Sequence, residues 1–196
     1  ALNTVPGPFV LATFQNGDVL GDGLRLLISR DARKWEALPG DPIVLPLDGS
    51  KGLVFRDPSI LWWRGAFHLA WTSDLCVGQL AGKWKCKGLR DKKPRPAARF
   101  GYASSTDLAT WRGVRLVEVK LKDACSLWAP ELSALPEDEG GGVMVSFTAT
   151  VVAGECPPNF KATKHRAMFA TTTDFKKWSK PAPMLEADAE GVIDLF

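Results

Sequence analysis

The sequence predicts an all-β protein of the β-propeller type, and three observations lead to this fold class. A seven-residue motif occurs three times along the chain, and each copy follows a short β-prone run. Further β-prone runs lie between the copies and are separated by turn-forming residues. Nearly every window long enough for an amphipathic helix contains Gly, Pro or clustered β-branched residues, so helices of three or more turns are not expected.

The repeated motif has the pattern Ser/Thr-x-Asp-x-x-x-Trp. It occupies residues 29–35, 105–111 and 172–178, so its tryptophans are 76 and 67 residues apart. An aspartate at this place can accept hydrogen bonds from turn amides while the tryptophan packs back on the sheet. We therefore expect each copy to end a strand and to begin a tight turn.

Runs rich in β-branched and aromatic residues predict the strands themselves. They cover residues 8–14, 24–28, 59–63, 66–72, 101–104, 115–119, 143–150 and 167–171. The repeat period of about 70 residues is much longer than the spacing of turn signals in a β-sandwich. Four-stranded units that recur at this distance indicate the blades of a propeller.

Composition excludes several other protein classes. Of the 196 residues, 45% are hydrophobic and 24% are charged, which suits a packed globular chain and not a disordered or collagen-like one. The net charge of +3 gives no reason to expect nucleic-acid binding. The most apolar stretch, residues 142–154, is shorter than the roughly 20 residues of a bilayer-spanning helix, so no membrane segment is expected.

Residues 77–99 interrupt the strand pattern with eight Lys or Arg and a single Asp. They predict a basic insertion loop. Such a loop either contacts an anionic polysaccharide or nucleic acid, or is simply solvated.

The four cysteines are Cys76, Cys86, Cys125 and Cys156. They form no CxxC pair and have no neighbouring histidine cluster, so no zinc site or other metal ligand set is predicted. Two disulfides in an oxidising, extracellular compartment are one interpretation, and four buried free thiols are the other.

Three motifs place a carboxylate at the start of an apolar run: RDPSI with Asp57, LWAPEL with Glu131 and VIDLF with Asp194. The first strand of each propeller blade lines the central channel, so acids at its entrance point into one funnel. Glycosidic bond cleavage needs one carboxylate to activate water and a protonated carboxyl for the leaving oxygen. The three motifs together indicate a glycosidase site, although Asp-Pro alone is also a common turn.

The order of RDPSI, STDLATW, WAPEL, TTDFKKW and VIDLF resembles glycoside hydrolase family 43, the five-bladed β-propeller arabinofuranosidases, arabinanases and xylosidases. The resemblance covers most of the chain. It implies a single partial catalytic-type domain over residues 1–196 that supplies roughly the first half of a five-bladed propeller. It also implies inverting cleavage of a pentose- or galactose-containing polysaccharide or oligosaccharide, with no cofactor required and with a structural Ca²⁺ known in the family's channel.

The resemblance implies a role for each acid. Asp57 matches the general base, and Asp194 matches the residue that orients the general acid and raises its pKa. Trp128 and Glu131 match residues that line the pocket. The family's general acid is a Glu in a later blade, and Glu131 is the channel carboxyl left in this chain to take that role.

Arg56, Trp62 and His68 complete the candidate substrate-binding residues. An indole face such as that of Trp62, or of Trp63 beside it, can stack on a sugar ring. For Arg56 and His68 the favoured alternative is a strand-edge cation and a hydrogen-bonded core imidazole.

A complete five-bladed ring needs on the order of 300 residues, so we expect a fragment, or a chain completed by a second polypeptide. Residues 8–35 would then belong to the blade that closes the ring, followed by two full blades and the first strand of a third. Without the blade that carries the acid, the alternative function is a catalytically inactive carbohydrate-binding propeller. The third possible function is a structural or assembly role, in which the basic loop at residues 83–99 and the open blade edge bind a neighbour.

Overall fold

The computed structural model describes residues 8–15, 23–46, 55–73, 98–121, 124–151, 164–185 and 191. Within these ranges the protein is all-β, and its one helical element is a short 3-10 helix at Glu137–Glu139. Twelve described strands pair in antiparallel fashion into three four-stranded sheets. The predicted all-β fold class is confirmed, and the number of blades in a closed ring stays a prediction.

The first sheet, here called the N-terminal sheet, has the strand order β1-β2-β3, and β4 also pairs with β2. Its strands are β1 (Phe9–Thr13), β2 (Gly23–Ser29), β3 (Glu36–Ala37) and β4 (Leu45–Pro46). The two longer strands agree with the prediction from the sequence. The two short strands each add only a pair of residues along β2.

The other two sheets are meanders in chain order, here called blade A and blade B. Blade A consists of β5 (Arg56–Trp63), β6 (Ala66–Thr72), β7 (Arg99–Ser105) and β8 (Arg112–Glu118). Blade B consists of β9 (Ala124–Leu135), β10 (Gly142–Val151), β11 (Lys164–Thr172) and β12 (Ala182–Pro183). Consecutive four-stranded meanders of this kind are the units from which propellers are built.

The first strands of the two blades, β5 and β9, lie against each other. We call the end at which they begin the entrance end of the sheets, and the opposite end the turn end. The Arg56 guanidinium lies 5.8 Å from the ring centroid of Phe14, which follows β1, so the entrance end includes the last residues of β1.

Each copy of the repeated motif ends a strand, as predicted, and forms the same turn. Oδ1 of its aspartate accepts hydrogen bonds from the backbone N–H groups two and three residues later, at 2.7–2.9 Å. These backbone bonds hold the pKa of each carboxyl below its ordinary value of 3.8. The aspartates are Asp31, Asp107 and Asp174, and the residues after them, all with φ between 56° and 63°, are Ala32, Leu108 and Phe175.

The left-handed residue and the tryptophan of a turn pack against the preceding sheet. Leu108 and Trp111 of blade A contact the core shared with the N-terminal sheet. In blade B, Phe175 is part of the core shared with blade A, and Trp178 packs against that core. Trp35 of the first copy is 36% exposed, since no sheet precedes its own in the described part of the chain.

Gly101 makes room for Trp71 in the core between the N-terminal sheet and blade A. Trp71 is fully buried and pairs with Gly101 between β6 and β7. A Cβ on Gly101 would overlap the Trp71 indole. We expect Gly101→Ala to lower the free energy of unfolding by about 1–3 kcal/mol, because a packed ring must shift.

Urea denaturation measures this loss. If the indole is the obstacle, the double variant with Trp71→Phe loses less than the two single variants added together. Additive losses would contradict this explanation.

Cys125 lies in β9 and is disulfide-bonded. This finding favours the disulfide interpretation over four free thiols. The other three cysteines, and residues 77–97 of the predicted basic loop, lie outside the described residues.

Candidate functional site

The first strands of both blades carry the same irregularity near the entrance end. In the RDPS segment of β5, Asp57 has a φ of 47°, and in the WAPE segment of β9, Ala129 has a φ of 44°. At both places the pairing with the second strand shifts by one residue. Each is therefore a β-bulge whose left-handed residue precedes a proline.

This backbone conformation is unfavourable at both positions. The left-handed region is strained for any residue with a Cβ, and a following proline disfavours helical backbone angles. Strain of this kind costs on the order of 1–3 kcal/mol at each residue. Ala129 adopts the same conformation without a carboxylate, so the bulge forms in both first strands whether or not its left-handed residue is acidic. Asp57 differs from Ala129 in carrying a carboxylate at this place.

Two hydroxyl groups of blade A join the bulges of neighbouring blades. The Thr72 hydroxyl donates to Oδ2 of Asp57 at 2.9 Å and accepts the Ala129 N–H at 2.8 Å. The Ser59 hydroxyl oxygen accepts the N–H of Leu132 at 3.0 Å. The predicted RDPSI and WAPEL motifs are thus brought together at the entrance end.

Glu131 is the second carboxyl at this place. It is half-buried, and burial raises its pKa above the ordinary 4.5, while a hydrogen bond with Ser59 lowers it by a smaller amount. A carboxyl with a raised pKa keeps its proton to a higher pH, which is the property that a general acid requires.

The raised pKa of Glu131 predicts how stability depends on pH. A carboxyl that binds its proton more tightly in the folded protein lowers stability as the pH rises from 4.5 through the folded pKa. We expect Glu131→Gln to remove this loss, so the variant melts above the wild type at pH 7 and not at pH 4.

Thermal melts from pH 4 to pH 8 measure this difference. Glu118→Gln, the same substitution on an exposed residue of β8, serves as the matched control. Parallel curves for Glu131→Gln and wild type would contradict the prediction.

Trp128 lies beside the bulge of β9, and its ring contacts the imidazole of His165 on β11 with centroids 4.9 Å apart. Burial lowers the pKa of His165, which favours the neutral imidazole, and its buried Nδ1 has no hydrogen-bond partner in the part of the chain that the structure describes. The sequence motifs did not single out His165, because it is far from Trp128 in sequence and the two rings meet only when β9 and β11 lie in the same sheet.

Arg56 is next to Asp57, at the entrance end, and its guanidinium lies over the ring of Phe14, which follows β1. The structure therefore brings Arg56, Asp57, Trp128 and Glu131 into one region. Asp194 lies outside the described residues.

Trp62 lies toward the turn end of β5, and the structure does not bring it to Asp57. Trp62 lies five positions after Asp57 along β5, which corresponds to roughly 16 Å of strand. The Trp62 ring is 55% exposed and contacts Phe67, with centroids 4.5 Å apart.

His68 is a hydrogen-bonded core residue between the blades and not a member of this region. Its Nε2 lies 3.2 Å from the Trp63 carbonyl, which only accepts, so Nε2 carries the proton. The Tyr102 hydroxyl then donates to Nδ1 at 2.8 Å. Burial lowers the pKa of His68 and keeps the imidazole neutral.

Searches for two other kinds of site gave no candidate in the described ranges. No group of three or more His, Cys, Asp or Glu side chains is arranged there to hold a metal ion. No helix of the described chain is long and apolar enough to span a bilayer. The Ca²⁺ expected in the channel stays a prediction.

Comparison with known proteins gives one family match. The model of a family described as "Probable glycosyl hydrolase domain" (Glyco_hydro_43_rel) matches residues 8–195. No match was found among curated proteins.

Three solved structures illustrate what the chain is similar to. The Bombyx mori GH32 β-fructofuranosidase BmSUC1 has 15% identity and a TM-score of 0.47, over 88% of this chain and 34% of that one. The Clostridium thermocellum exo-β-1,3-galactanase 1,3Gal43A has 12% identity and a TM-score of 0.47, over 90% and 46%. An F. plautii N-acetylgalactosamine deacetylase has 17% identity and a TM-score of 0.46, over 89% and 48%.

The chain thus spans between a third and a half of the length of these three proteins. At such low identities, their substrates have no bearing on the substrate of this chain.

Proposed function

Since this chain belongs to the family of probable glycosyl hydrolase domains, we propose that it is an inverting glycoside hydrolase whose general base is Asp57. The observation that carries the proposal is the carboxylate of Asp57, fixed by Thr72 at the entrance end beside the WAPE segment of the next blade. A general base must be held in place relative to its water, and among the described residues the hydrogen bond to this carboxylate goes to one oxygen, Oδ2.

In the proposed reaction Oδ1 of Asp57 removes a proton from water as the water oxygen attacks the anomeric carbon. The glycosidic C–O bond breaks on the opposite face, and the leaving oxygen takes a proton from a carboxylic acid. In inverting enzymes the two carboxyls lie about 6.5–9.5 Å apart. Carboxyl groups and water suffice for this chemistry, so we propose no cofactor for it.

Glu131 is the candidate acid within this chain, because burial raises its pKa. Asp194 is assigned the role of orienting the acid and raising its pKa, as the family resemblance implies. Trp128 is proposed as the wall on which a sugar ring packs. The proposed substrate class is a pentose- or galactose-containing polysaccharide or oligosaccharide.

The test uses the full-length protein with a panel of pentose- and galactose-containing oligosaccharides. Proton NMR of the fresh product reports its anomeric configuration before mutarotation, and we expect inversion. Retention would overturn the proposed mechanism. Glycan binding without hydrolysis would support the inactive carbohydrate-binding propeller, and the absence of both would point to an assembly role.

A secreted location and a completing segment or second polypeptide belong to the same proposal. The disulfide at Cys125 supports an oxidising compartment. The exposure of Leu11 on β1 and of Trp35, which directly precedes β3, supports a further blade packed on the N-terminal sheet.

A further inference from the structure

We infer that Thr72 is the positioning residue of Asp57. This assignment rests on the proposed function and adds to it a contact with the second blade, because Thr72 also binds the backbone of Ala129. Thr72 ends β6, in the strand next to Asp57, and its side chain is fully buried. Its hydroxyl oxygen is less than 3 Å from Oδ2 of Asp57 and from the backbone nitrogen of Ala129.

The two hydrogen bonds fix the direction of the hydroxyl proton. A backbone N–H can only donate, so the Ala129 amide occupies a lone pair of the Thr72 oxygen. The single hydroxyl proton is then directed to Asp57, whose Oδ2 accepts it. Oδ2 is thereby engaged, and Oδ1, for which the described part of the chain supplies no hydrogen-bond donor, is the oxygen proposed to receive a proton from water.

The Ala129 amide is available because of the bulge in β9. The extra residue of a bulge falls out of the ladder, and Ala129 is not among the residues that pair with β10. The left-handed backbone of Ala129 directs this N–H to Thr72 of the neighbouring blade. The strained WAPE segment therefore takes part in aiming the carboxylate of the RDPS segment.

The kinetic test compares Thr72→Val with Thr72→Ser in the full-length protein. Valine has nearly the shape of threonine and removes both hydrogen bonds, whereas serine keeps the hydroxyl. We expect Thr72→Val to lower kcat on the order of 10–100-fold with KM nearly unchanged, because the base is misplaced while the pocket is intact. Thr72→Ser should stay within about threefold of wild type.

Thr150→Val is the matched control. Thr150 is equally buried, and its hydroxyl has no hydrogen-bond partner among the described residues. It lies on β10 of blade B, and its variant should keep wild-type kcat. An equal loss in both valine variants, or no rescue by serine, would overturn the assignment.

A second measurement does not depend on activity. In a crystal structure of Thr72→Val we expect the Asp57 carboxylate to leave its position or to occupy more than one rotamer, and in Thr72→Ser to keep the wild-type position. If the wild type cleaves no glycan, the proposed function fails, and the positioning assignment is still decided by these structures. An unmoved carboxylate in Thr72→Val would refute it.

Discussion

Asp57→Asn is expected to lower kcat by about 10²–10⁴-fold, the range that a general base contributes, while glycan binding is retained. Asparagine has the same shape as aspartate and cannot take a proton from water at neutral pH. Its amide oxygen can still accept the Thr72 hydroxyl, and asparagine tolerates left-handed backbone angles better than most residues. The loss therefore concerns chemistry and not folding.

Blade B supports the expectation that the fold survives. Ala129 adopts the same conformation before a proline, with no carboxylate present. For this reason Asp57→Ala should fold as well, and its circular dichroism and melting temperature are the measurements that check this point.

Asp107→Asn is the matched control for activity. It makes the same substitution at the turn end, where the Asp107 carboxylate accepts backbone N–H groups of its own turn. Its kcat should equal that of wild type. Sodium azide adds a further check, because an anion that attacks without losing a proton should restore part of the rate of Asp57→Asn and none of Asp107→Asn.

Full hydrolytic activity in Asp57→Asn would remove Asp57 from the mechanism. Loss of activity together with loss of glycan binding would make Asp57 a binding residue instead. Full activity would contradict the proposed mechanism, because Asp57 is its general base. Loss of both activity and binding would contradict only the assignment of Asp57 as the base.

The turns were the most predictable part of the fold, because their interactions are local. An Asp two residues after Ser or Thr meets the backbone N–H groups that follow it, so Asp31, Asp107 and Asp174 make the same bonds in all three copies. Apart from β9, the longer strands were also predictable from their runs of β-formers. The two-residue strands were not, because β3, β4 and β12 depend on a neighbouring strand and not on their own composition.

The length of strand β9 could not be predicted from its sequence pattern. The LWAPEL motif, residues 127–132, predicts the start of an apolar run, but Pro130 weakens any strand assignment from sequence. In the structure the twelve residues of β9 form one strand, because Ala129 and Pro130 lie in the bulge, where they do not pair with β10. Thr72 and Ser59 could not be found from sequence, since the N–H groups that they accept, those of Ala129 and Leu132, belong to another blade.

The candidate site was predicted in part for a related reason. RDPSI and WAPEL mark the entrance end, so Asp57 and Glu131 could be located from their motifs. Trp62 was included in the predicted site because an indole ring can stack on a sugar. It lies five positions after Asp57 along β5, toward the turn end of the sheet. Which end of a strand faces the funnel is a property of the sheet and not of composition.

Phe175→Ala is expected to cost about 3–5 kcal/mol of unfolding free energy, the typical loss for a buried aromatic ring. Phe175 is 3% exposed and lies face to face on His68, with centroids 3.8 Å apart and planes at 6°. It also stacks on Tyr102 and meets Trp63 and Trp178 edge to face. Removal of the ring opens a cavity between blade A and blade B.

The other copies of the turn supply the controls. Leucine occupies the equivalent place in blade A, so Phe175→Leu should lose clearly less than Phe175→Ala. Ala32 occupies it in the N-terminal sheet and is exposed, so Ala32→Gly should not lower stability, since glycine relieves the left-handed backbone there. Denaturant unfolding of the three variants measures the differences.

The pKa of His68 provides a second readout of the same cavity. Burial lowers this pKa, so the unfolded chain binds the proton first and stability is lost as the pH falls from 6.5 through the folded value. Phe175→Ala exposes the imidazole, and NMR titration should show its pKa moving back toward 6.5. The loss of stability on acidification then becomes smaller in the variant. An unchanged His68 pKa together with a loss below 1 kcal/mol would mean that Phe175 does not hold the two blades together.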